Sequence, residues 1–312
     1  MKDLKVIFMG TPDFAVPILE ELINKCNVIM VVSQPDRTKD RKGNLIATPT
    51  KEVALANNIE VFQPVSIKKD YEKVINANAD IIITCAYGQI IPDIILNNPK
   101  FGCINVHGSL LPKLRGGAPI HWAIINGDKE TGITIMYMDS KMDAGDIISQ
   151  RKIKILADDN LDILYSKMSV LGRDLLMDTL PLVIENKNDR IKQNEDEVTY
   201  GLNIKKEEEK IDFTKTAVEV NNLIRGLSSM PGAFAILDDK RIKIYKASIL
   251  NEKANGIVGL ITRIDRDGIV VNCCDFKIKI LDIKIEGKAR CLVRDYLNGI
   301  SDKNSLIGKV LK

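Results

Sequence analysis

The N-terminal half of the chain alternates short apolar runs with helical segments, and this alternation limits the possible folds more than any other feature. Apolar runs lie at residues 5–10, 28–32, 80–86 and 102–106. Runs of this length, bounded by turn residues, are typical of strands buried on both faces. Strands that alternate with helices pair in parallel, because each crossover returns the chain to the same end of the sheet. We therefore predict an α/β fold with a doubly wound, mostly parallel, Rossmann-like sheet.

The C-terminal third shows a different pattern. A helix is predicted over residues 158–186, where leucine and methionine recur at three- and four-residue spacing, and a charge-rich stretch follows it. Short alternating strands are then predicted at residues 233–237, 241–247, 257–264, 269–273 and 277–285. Several are joined by Asp/Gly/Asn turns, and the pattern indicates a small, partly open β-barrel, with the OB-fold as the leading candidate. The predicted organisation is an N-terminal domain at 1–187, a linker at 188–206 and an OB-like domain at 207–312.

The composition indicates a cytoplasmic globular protein. No apolar run approaches the roughly 18 residues that a membrane-spanning helix needs, and the N-terminus leads into a strand rather than a signal peptide. The six cysteines form no CxxC pair and no zinc-ligand spacing, so we expect reduced thiols and no metal site. The net charge of +3 does not by itself indicate a nucleic-acid partner, although the positive excess lies from residue 206 onward.

Polar side chains stand where the fourth apolar run ends. Asn105 and His107 are two residues apart, so both leave the same side of an extended strand. Ligands of a doubly wound sheet bind beyond the carboxyl ends of its strands, so this pair marks a candidate site. Residues 138–146 follow another strand-like run and supply three acids, among which spacing alone does not choose. Residues 10–13 contain neither a dinucleotide fingerprint nor a phosphate loop, so neither a dinucleotide nor ATP is predicted. The other histidine, His121, lies on a predicted helix, where we expect a structural role.

The surroundings of Asn105 and His107 resemble a family signature. Residues 105–119 read Asn-Val-His-Gly-Ser-Leu-Leu-Pro-Lys-Leu-Arg-Gly-Gly-Ala-Pro, and residues 143–146 read Asp-Ala-Gly-Asp. Together they resemble the signature of the folate-dependent formyltransferases. The resemblance implies that Asn105, His107 and Asp143 are the catalytic residues. It also implies 10-formyltetrahydrofolate as the formyl donor, without a metal ion or ATP.

Four shorter segments indicate which members of this family the chain resembles most. Residues 8–15, 34–37, 62–64 and 86–88 are most similar to the members that formylate initiator methionyl-tRNA on its free α-amino group, for translation initiation. The implied folate-binding residues are Tyr87, Gly88, Gln89, Ile90, Ser109, Leu110, Leu111, Pro112 and Asp139. The implied tRNA-binding residues, in a mobile loop, are Arg37, Lys39, Arg41 and Lys42. Residues 38–44 and 229–232 depart from the family pattern, the latter reading Ser-Met-Pro-Gly where the family has Trp-Pro-Gly.

The residue types suit acyl transfer to an amine. When the amine attacks, charge builds on the formyl oxygen, and both Asn105 and a protonated His107 can donate hydrogen bonds to it. Asp143 close to His107 can support the protonated ring and assist proton transfer. The hypothesis is therefore an oxyanion held by Asn105 and His107, with Asp143 acting beside the imidazole.

Three other functions are compatible with part of the pattern. A formyl-folate enzyme acting on a ribonucleotide amine or an amino sugar would share the same three residues, and only the basic loop and the extra C-terminal domain favour tRNA. A formyl-folate hydrolase finds no support in residues 34–37. A non-catalytic RNA-binding protein would leave the Asn–His–Asp set without a role. We expect a monomer that binds tRNA also through C-terminal basic residues. The candidates are Arg241, Lys243, Lys246, Lys284, Lys288, Arg290 and Arg294.

Overall fold

The computed structural model describes residues 1–36 and 45–312. These residues form two compact units. The first unit comprises Met1–Pro119, Glu130–Lys154 and Tyr165–Leu202. The second comprises Ile120–Lys129, Ile155–Leu164 and Asn203–Lys312.

The first unit is built on a seven-stranded sheet with the strand order β3-β2-β1-β4-β5-β6-β7. The first five strands are parallel, whereas β6 is antiparallel to both β5 and β7. This mixed, mostly parallel α/β sheet confirms the predicted fold class. The strands are β1 (Lys5–Gly10), β2 (Asn27–Val32), β3 (Glu60–Phe62), β4 (Ile81–Cys85), β5 (Cys103–His107), β6 (Glu130–Tyr137) and β7 (Ile147–Lys154).

Helices begin where the sequence supplies local start signals. Helices α1 and α2 carry proline in the first turn, where the missing N–H costs no hydrogen bond. Helix α7 begins with a capping box between Thr216 and Glu219. None of the helices in the described parts of the chain is long and apolar enough to cross a membrane. The helices are α1 (Val16–Lys25), α2 (Pro49–Ala56), α3 (Glu72–Asn76), α4 (Asp93–Leu96), α5 (Pro119–Ile125), α6 (Leu161–Ile184), α7 (Ala217–Gly226) and α8 (Val293–Asn298).

The carboxyl ends of β1, β4 and β5 meet at one edge of this sheet. A Cβ atom on Gly10, the last residue of β1, would lie 2.7 Å from the carbonyl oxygen of Cys85, the last residue of β4. Only glycine permits this approach of the two strand ends. Thr84 of β4 pairs with Asn105 of β5, so their side chains lie side by side near the same edge.

The second unit contains an antiparallel sheet in the order β10-β11-β12-β9-β8, with β13 paired to β12. Its edge strands are joined by the C-terminus, because Lys309 O accepts from Ile261 N while Lys312 N donates to Ile236 O. This antiparallel β domain is the one that the sequence predicted. The strands are β8 (Ala233–Leu237), β9 (Lys240–Lys253), β10 (Ile261–Ile264), β11 (Ile269–Asn272), β12 (Phe276–Ile285) and β13 (Cys291–Leu292).

Two strand boundaries in this sheet differ from the prediction. Strand β9 continues to Lys253, beyond the predicted 241–247, because β12 pairs with it along this extension. Strand β10 begins at Ile261 rather than at residue 257. Gly256 and Gly259 have positive φ angles, and the turn that they form leaves Ile257 exposed before the strand begins.

Candidate active site

His107 is the last residue of β5 and is almost fully buried, with 5% of its surface exposed. Its Nε2 atom lies 3.0 Å from the carbonyl oxygen of Leu114. Because a carbonyl oxygen only accepts hydrogen bonds, Nε2 carries a proton and donates it to this contact. The other ring nitrogen, Nδ1, lies 3.6 Å from Oδ2 of Asp143. Nδ1 is therefore the nitrogen at which His107 can accept or release a proton.

Asp143 reaches His107 from the loop between β6 and β7. This loop begins beside Cys103, at the start of β5, because β6 is antiparallel to β5. Within it the chain returns toward His107, and Asp143 adopts a left-handed backbone conformation with φ of 50°. Its Oδ2 accepts a hydrogen bond of 2.8 Å from Gly116 N, in the signature loop. One carboxylate thus faces the imidazole and also joins the two loops that form the site.

Asn105 is oriented by a residue that sequence reasoning missed. Thr84 is 2% exposed, and its Oγ1 lies 2.8 Å from Oδ1 of Asn105. With Oδ1 accepting from the Thr84 hydroxyl, the two N–H groups of Asn105 are left to donate elsewhere. The only sequence signal was a hydroxyl within the apolar run of β4, and its partner depends on the register between β4 and β5.

The signature loop after His107 is held by hydrogen bonds to β6 and β7. Thr134, which is fully buried, donates from Oγ1 to Ser109 O at 2.6 Å and accepts from Leu111 N at 3.1 Å. Gln150 donates to Leu111 O at 2.8 Å. The hydroxyl of Ser109 donates to Lys113 O at 2.6 Å and is therefore engaged inside the loop. These contacts fix the backbone that follows the histidine.

The predicted folate-binding residues lie in the loops after β4 and β5, at this edge of the first unit, and in the loop after β6, which begins beside the start of β5. After β4, Tyr87 is buried, Gly88 has a positive φ, and Ile90 is 69% exposed. Gln89 binds the backbone of its own unit, accepting from Ile67 N and donating to Pro64 O. After β5, Ser109, Leu110, Leu111 and Pro112 belong to the loop just described, and Leu111 packs with Met136 and Ile147. After β6, Asp139 is exposed and accepts from Lys141 N.

Comparison with known proteins identifies the family. The family described as formyl transferase matches residues 4–180, and the formyl transferase C-terminal domain matches residues 203–301. A methionyl-tRNA formyltransferase of Malacoplasma penetrans is 45% identical over 312 residues, covering 100% of this chain and 98% of that protein. One from Staphylococcus epidermidis is 46% identical over 309 residues, covering 98% and 99%. The chain belongs to the methionyl-tRNA formyltransferase family.

Solved structures with the same fold include other formyltransferases. An N-formyltransferase from Helicobacter canadensis, in complex with folinic acid and dTDP-3-aminofucose, superimposes with a TM-score of 0.67 at 23% identity. The match covers 89% of this chain and 98% of that one. HypX from Aquifex aeolicus gives a TM-score of 0.67 at 15% identity, covering 96% of this formyltransferase and 49% of HypX. At these identities the likeness concerns the fold alone.

The predicted tRNA-binding residues Arg37, Lys39, Arg41 and Lys42 lie outside the described residues of this formyltransferase. The residues that flank them are joined through Asp36. Its carboxylate accepts from Thr48 N, Gln63 Nε2 and Lys51 Nζ. Burial raises the pKa of Asp36, but the hydrogen bonds from Lys51 and Gln63 outweigh it, so the pKa lies below its ordinary value. Asp36 therefore remains a carboxylate at neutral pH.

The charge-rich stretch predicted as a linker contacts the signature loop. Leu114 N donates to Thr199 Oγ1 at 2.9 Å, and Arg115 N donates to Thr199 O at 2.9 Å. Gly201 N donates to Arg115 O at 2.8 Å. Leu114 has a φ of 58°, unusual for a branched side chain, and these bonds help to hold it with its carbonyl at His107. Thr199 and Gly201 of this formyltransferase thus take part in shaping its candidate site.

Two sequence features concern the second unit. His121 lies on α5, where burial lowers its pKa and a hydrogen bond with the backbone of Met230 opposes this. Met230, in the segment where the family has Trp-Pro-Gly, is 74% exposed. Ser229 donates to the carboxylate of Asp162 at 3.1 Å. The expectation of a structural role for His121 remains a prediction.

Replacing Thr84 by valine tests the orientation of Asn105. Valine keeps the shape but removes the hydroxyl, so we expect kcat for formyl transfer to fall by about tenfold as the amide loses its fixed direction. The free energy of unfolding should fall by only about 1 kcal/mol, as for one buried hydrogen bond. Steady-state kinetics and thermal unfolding measure the two effects. Thr84→Ser retains the hydroxyl and should restore kcat, and a Thr84→Val enzyme with wild-type kcat would refute this role.

Proposed function

We propose that this protein transfers the formyl group of 10-formyltetrahydrofolate to the α-amino group of initiator methionyl-tRNA, yielding N-formylmethionyl-tRNA and tetrahydrofolate. The observation that carries the proposal is the contact of Asp143 with Nδ1 of His107, on the strand that also carries Asn105, in a member of this family. The proposed catalytic residues are Asn105, His107 and Asp143.

The reaction replaces one C–N bond by another. The neutral amine of the methionyl ester attacks the formyl carbon, and the electron pair of the carbonyl moves onto its oxygen. The N–H groups of Asn105, whose Oδ1 accepts from Thr84, donate to this oxyanion, together with a proton on Nδ1 of His107. The oxyanion then collapses, and the bond from carbon to N10 of the folate breaks.

The imidazole of His107 and the carboxylate of Asp143 are proposed to transfer the protons of the reaction. The attacking amine loses one proton, and N10 of the folate gains one as it leaves. Because Nε2 donates to Leu114 O, proton exchange takes place at Nδ1, where Asp143 faces the ring. Asp143 supports the charged imidazole and relays the proton, directly or through a water molecule.

The folate-binding residues proposed above suit a flat ring with polar edges. Tyr87, Gly88, Gln89 and Ile90 supply backbone groups and an exposed apolar side chain, and the loop of Ser109, Leu110, Leu111 and Pro112 faces the same edge of the sheet. Asp139 supplies an exposed carboxylate. The folinic acid in the Helicobacter canadensis complex supports a folate as the ligand of this fold. We propose that no metal ion or ATP takes part.

The tRNA is proposed to contact both parts of the chain. We assign catalysis to residues 1–187 and tRNA binding to residues 207–312, with 188–206 between them. On the antiparallel sheet, Lys243 of β9 lies directly opposite Lys284 of β12, and such like charges favour a polyanionic partner. Arg290, in contrast, is paired with Asp282 at 2.8 Å. The protein is expected to act as a cytoplasmic monomer.

Purified protein incubated with 10-formyltetrahydrofolate and charged methionyl-tRNA tests the proposal. N-formylmethionine should form on initiator tRNA faster than on elongator methionyl-tRNA, and a chelator should not slow the reaction. A dTDP-amino sugar and a ribonucleotide amine serve as competing acceptors. Formylation of one of these acceptors but not of the tRNA would reject the proposed substrate.

The basic residues of the predicted mobile loop provide a second test. Changing Arg37, Lys39, Arg41 and Lys42 together to glutamine should raise KM for methionyl-tRNA by about tenfold or more, because each lost phosphate contact weakens binding. The KM for the formyl donor should change less than about twofold. Lys25→Gln/Lys73→Gln, which removes two exposed cations paired with Glu21 and Glu60, is the control. Equal tRNA KM values in the two variants would argue against this loop as a tRNA contact.

A further inference from the structure

We propose that Gln193 is a positioning residue for formyl transfer, holding the Asp143 loop so that its carboxylate faces Nδ1 of His107. Gln193 lies in the stretch that the sequence predicts as a linker, and no motif points to it. Its Nε2 donates to the carbonyl oxygens of Asp143 and Gly145, each at 2.8 Å. The inference rests on the proposed role of Asp143.

The side-chain amide of Gln193 has only one possible orientation. Its Oε1 accepts from Nε of Arg115 at 3.0 Å and from Nη2 of the same residue at 2.8 Å. A guanidinium only donates, and the carbonyls on the other side only accept, so exchange of oxygen and nitrogen would lose all four bonds. The amide thus joins the signature loop, through Arg115, to the loop that carries Asp143.

Arg115, whose guanidinium donates to Gln193, is itself held in place by several contacts. It is 3% exposed, and its guanidinium also pairs with Glu195 at 2.9 Å. Its backbone N–H and carbonyl bind Thr199 and Gly201. The residues before and after Arg115 both contact the proposed catalytic residues: Leu114 O accepts from His107, and Gly116 N donates to Asp143. The same short segment therefore fixes the imidazole and, through Gln193, the backbone of the carboxylate.

The Asp143 loop needs an external support. Asp143 itself has a φ of 50°, in the left-handed region that costs an L-residue energy, although less for aspartate than for most side chains. Gly145 approaches the chain so closely that a Cβ atom would lie 1.9 Å from Tyr137 O. The two bonds from Gln193 fall on the carbonyls of these two residues. They hold the peptide planes that follow Asp143 and Gly145, and we infer that they thereby set the direction of the Asp143 side chain.

Two substitutions distinguish the bonds from Gln193 to the Asp143 loop from its bonds to Arg115. Gln193→Glu keeps two acceptors for the guanidinium but has no N–H for the carbonyls of Asp143 and Gly145. Gln193→Met loses both sides of the bridge. We expect kcat to fall by about 30- to 100-fold in both variants, because a displacement of about 1 Å at reacting groups has effects of this size. The KM values for both substrates should stay within about twofold. Full activity of Gln193→Glu would overturn the proposal.

A double-mutant cycle tests whether Gln193 acts through Asp143. In an Asp143→Asn background, Gln193→Glu should lower kcat by less than about threefold further, because the group that it positions no longer carries charge. If Gln193→Glu instead lowered kcat by the same factor in the Asp143→Asn background as in wild type, Gln193 would not act through Asp143. Asn194→Ala is the matched control, since the hydrogen bonds of this neighbouring exposed amide go to Asp196 N and Glu197 and not to the Asp143 loop in the described part of the chain.

Hydrogen exchange gives a readout that does not depend on activity. Backbone amides of residues 139–146 should exchange faster in Gln193→Met and Gln193→Glu than in wild type, and at the wild-type rate in Asn194→Ala. Unchanged exchange in both Gln193 variants would overturn the proposal even if kcat fell. A wild-type enzyme that does not formylate methionyl-tRNA would instead count against the proposed function, and the exchange measurement would still decide the role of Gln193.

Discussion

Replacing His107 by asparagine is expected to lower kcat for formylation of methionyl-tRNA by about 10³- to 10⁴-fold. The amide of asparagine lies near the position of Nδ1, where it cannot exchange a proton, and it is too short to reach Leu114 O, which Nε2 of His107 contacts. The loss is therefore mainly that of a general acid–base group, for which about 10²- to 10⁴-fold is typical. The neutral amide is also a weaker donor to the oxyanion than a protonated imidazole. Single-turnover kinetics with saturating enzyme measure this step without interference from tRNA release.

The chain contains its own control for this substitution. His121→Asn changes the only other histidine, which lies on α5 in the second unit, and should leave kcat per folded molecule within about twofold. Circular dichroism and thermal unfolding of both variants show whether folding is retained. A folded His107→Asn enzyme that keeps more than about a tenth of wild-type kcat would reject proton exchange at Nδ1 as an essential step.

Replacing Asp143 by asparagine is expected to lower kcat by about 10²-fold. Asparagine has nearly the same shape and keeps an oxygen that accepts from Gly116 N, so the loop should retain its conformation. Only the negative charge opposite Nδ1 of His107 is removed, and with it the support of the charged ring and the proton relay. The KM for methionyl-tRNA should change little, because no tRNA contact is assigned to Asp143.

Asp146→Asn is the matched control for this charge removal. Asp146 lies three residues further along the same loop and pairs with Arg190 at 3.1 Å on the surface. Its removal should change kcat by less than about threefold, since exposed ion pairs contribute little. Comparable losses in the two variants would show that the loop responds to any lost carboxylate, and would remove the special role of Asp143.

Much of the candidate site could be predicted because its signals are local. The spacing of Asn105 and His107 put both on one side of a strand end, and the structure has them on β5 as expected. Asp143 was different: spacing left three acids open in 138–146, and family resemblance alone selected one. The structure brings this acid to His107, although its catalytic role remains a prediction.

Thr84 and Gln193 could not be predicted, because neither stands in a local pattern. Thr84 meets Asn105 only through the register of two parallel strands. Gln193 meets Asp143 across 50 residues of sequence, from a stretch whose charge-rich composition is typical of a solvated linker. Contacts of this kind depend on how distant segments pack, and no periodicity or turn signal reports them.

The sequence by itself determined which elements form and which family the chain resembles. Apolar periodicity and capping residues act between near neighbours, so β1, β8 and the long helix α6 lie close to where they were expected. Tertiary structure alone decided that β6 runs antiparallel to β5, that the following loop returns to His107, and that Nε2 is held by Leu114 O. Those outcomes depend on strand pairing and on hydrogen bonds between segments far apart in the chain, which only the folded protein brings together.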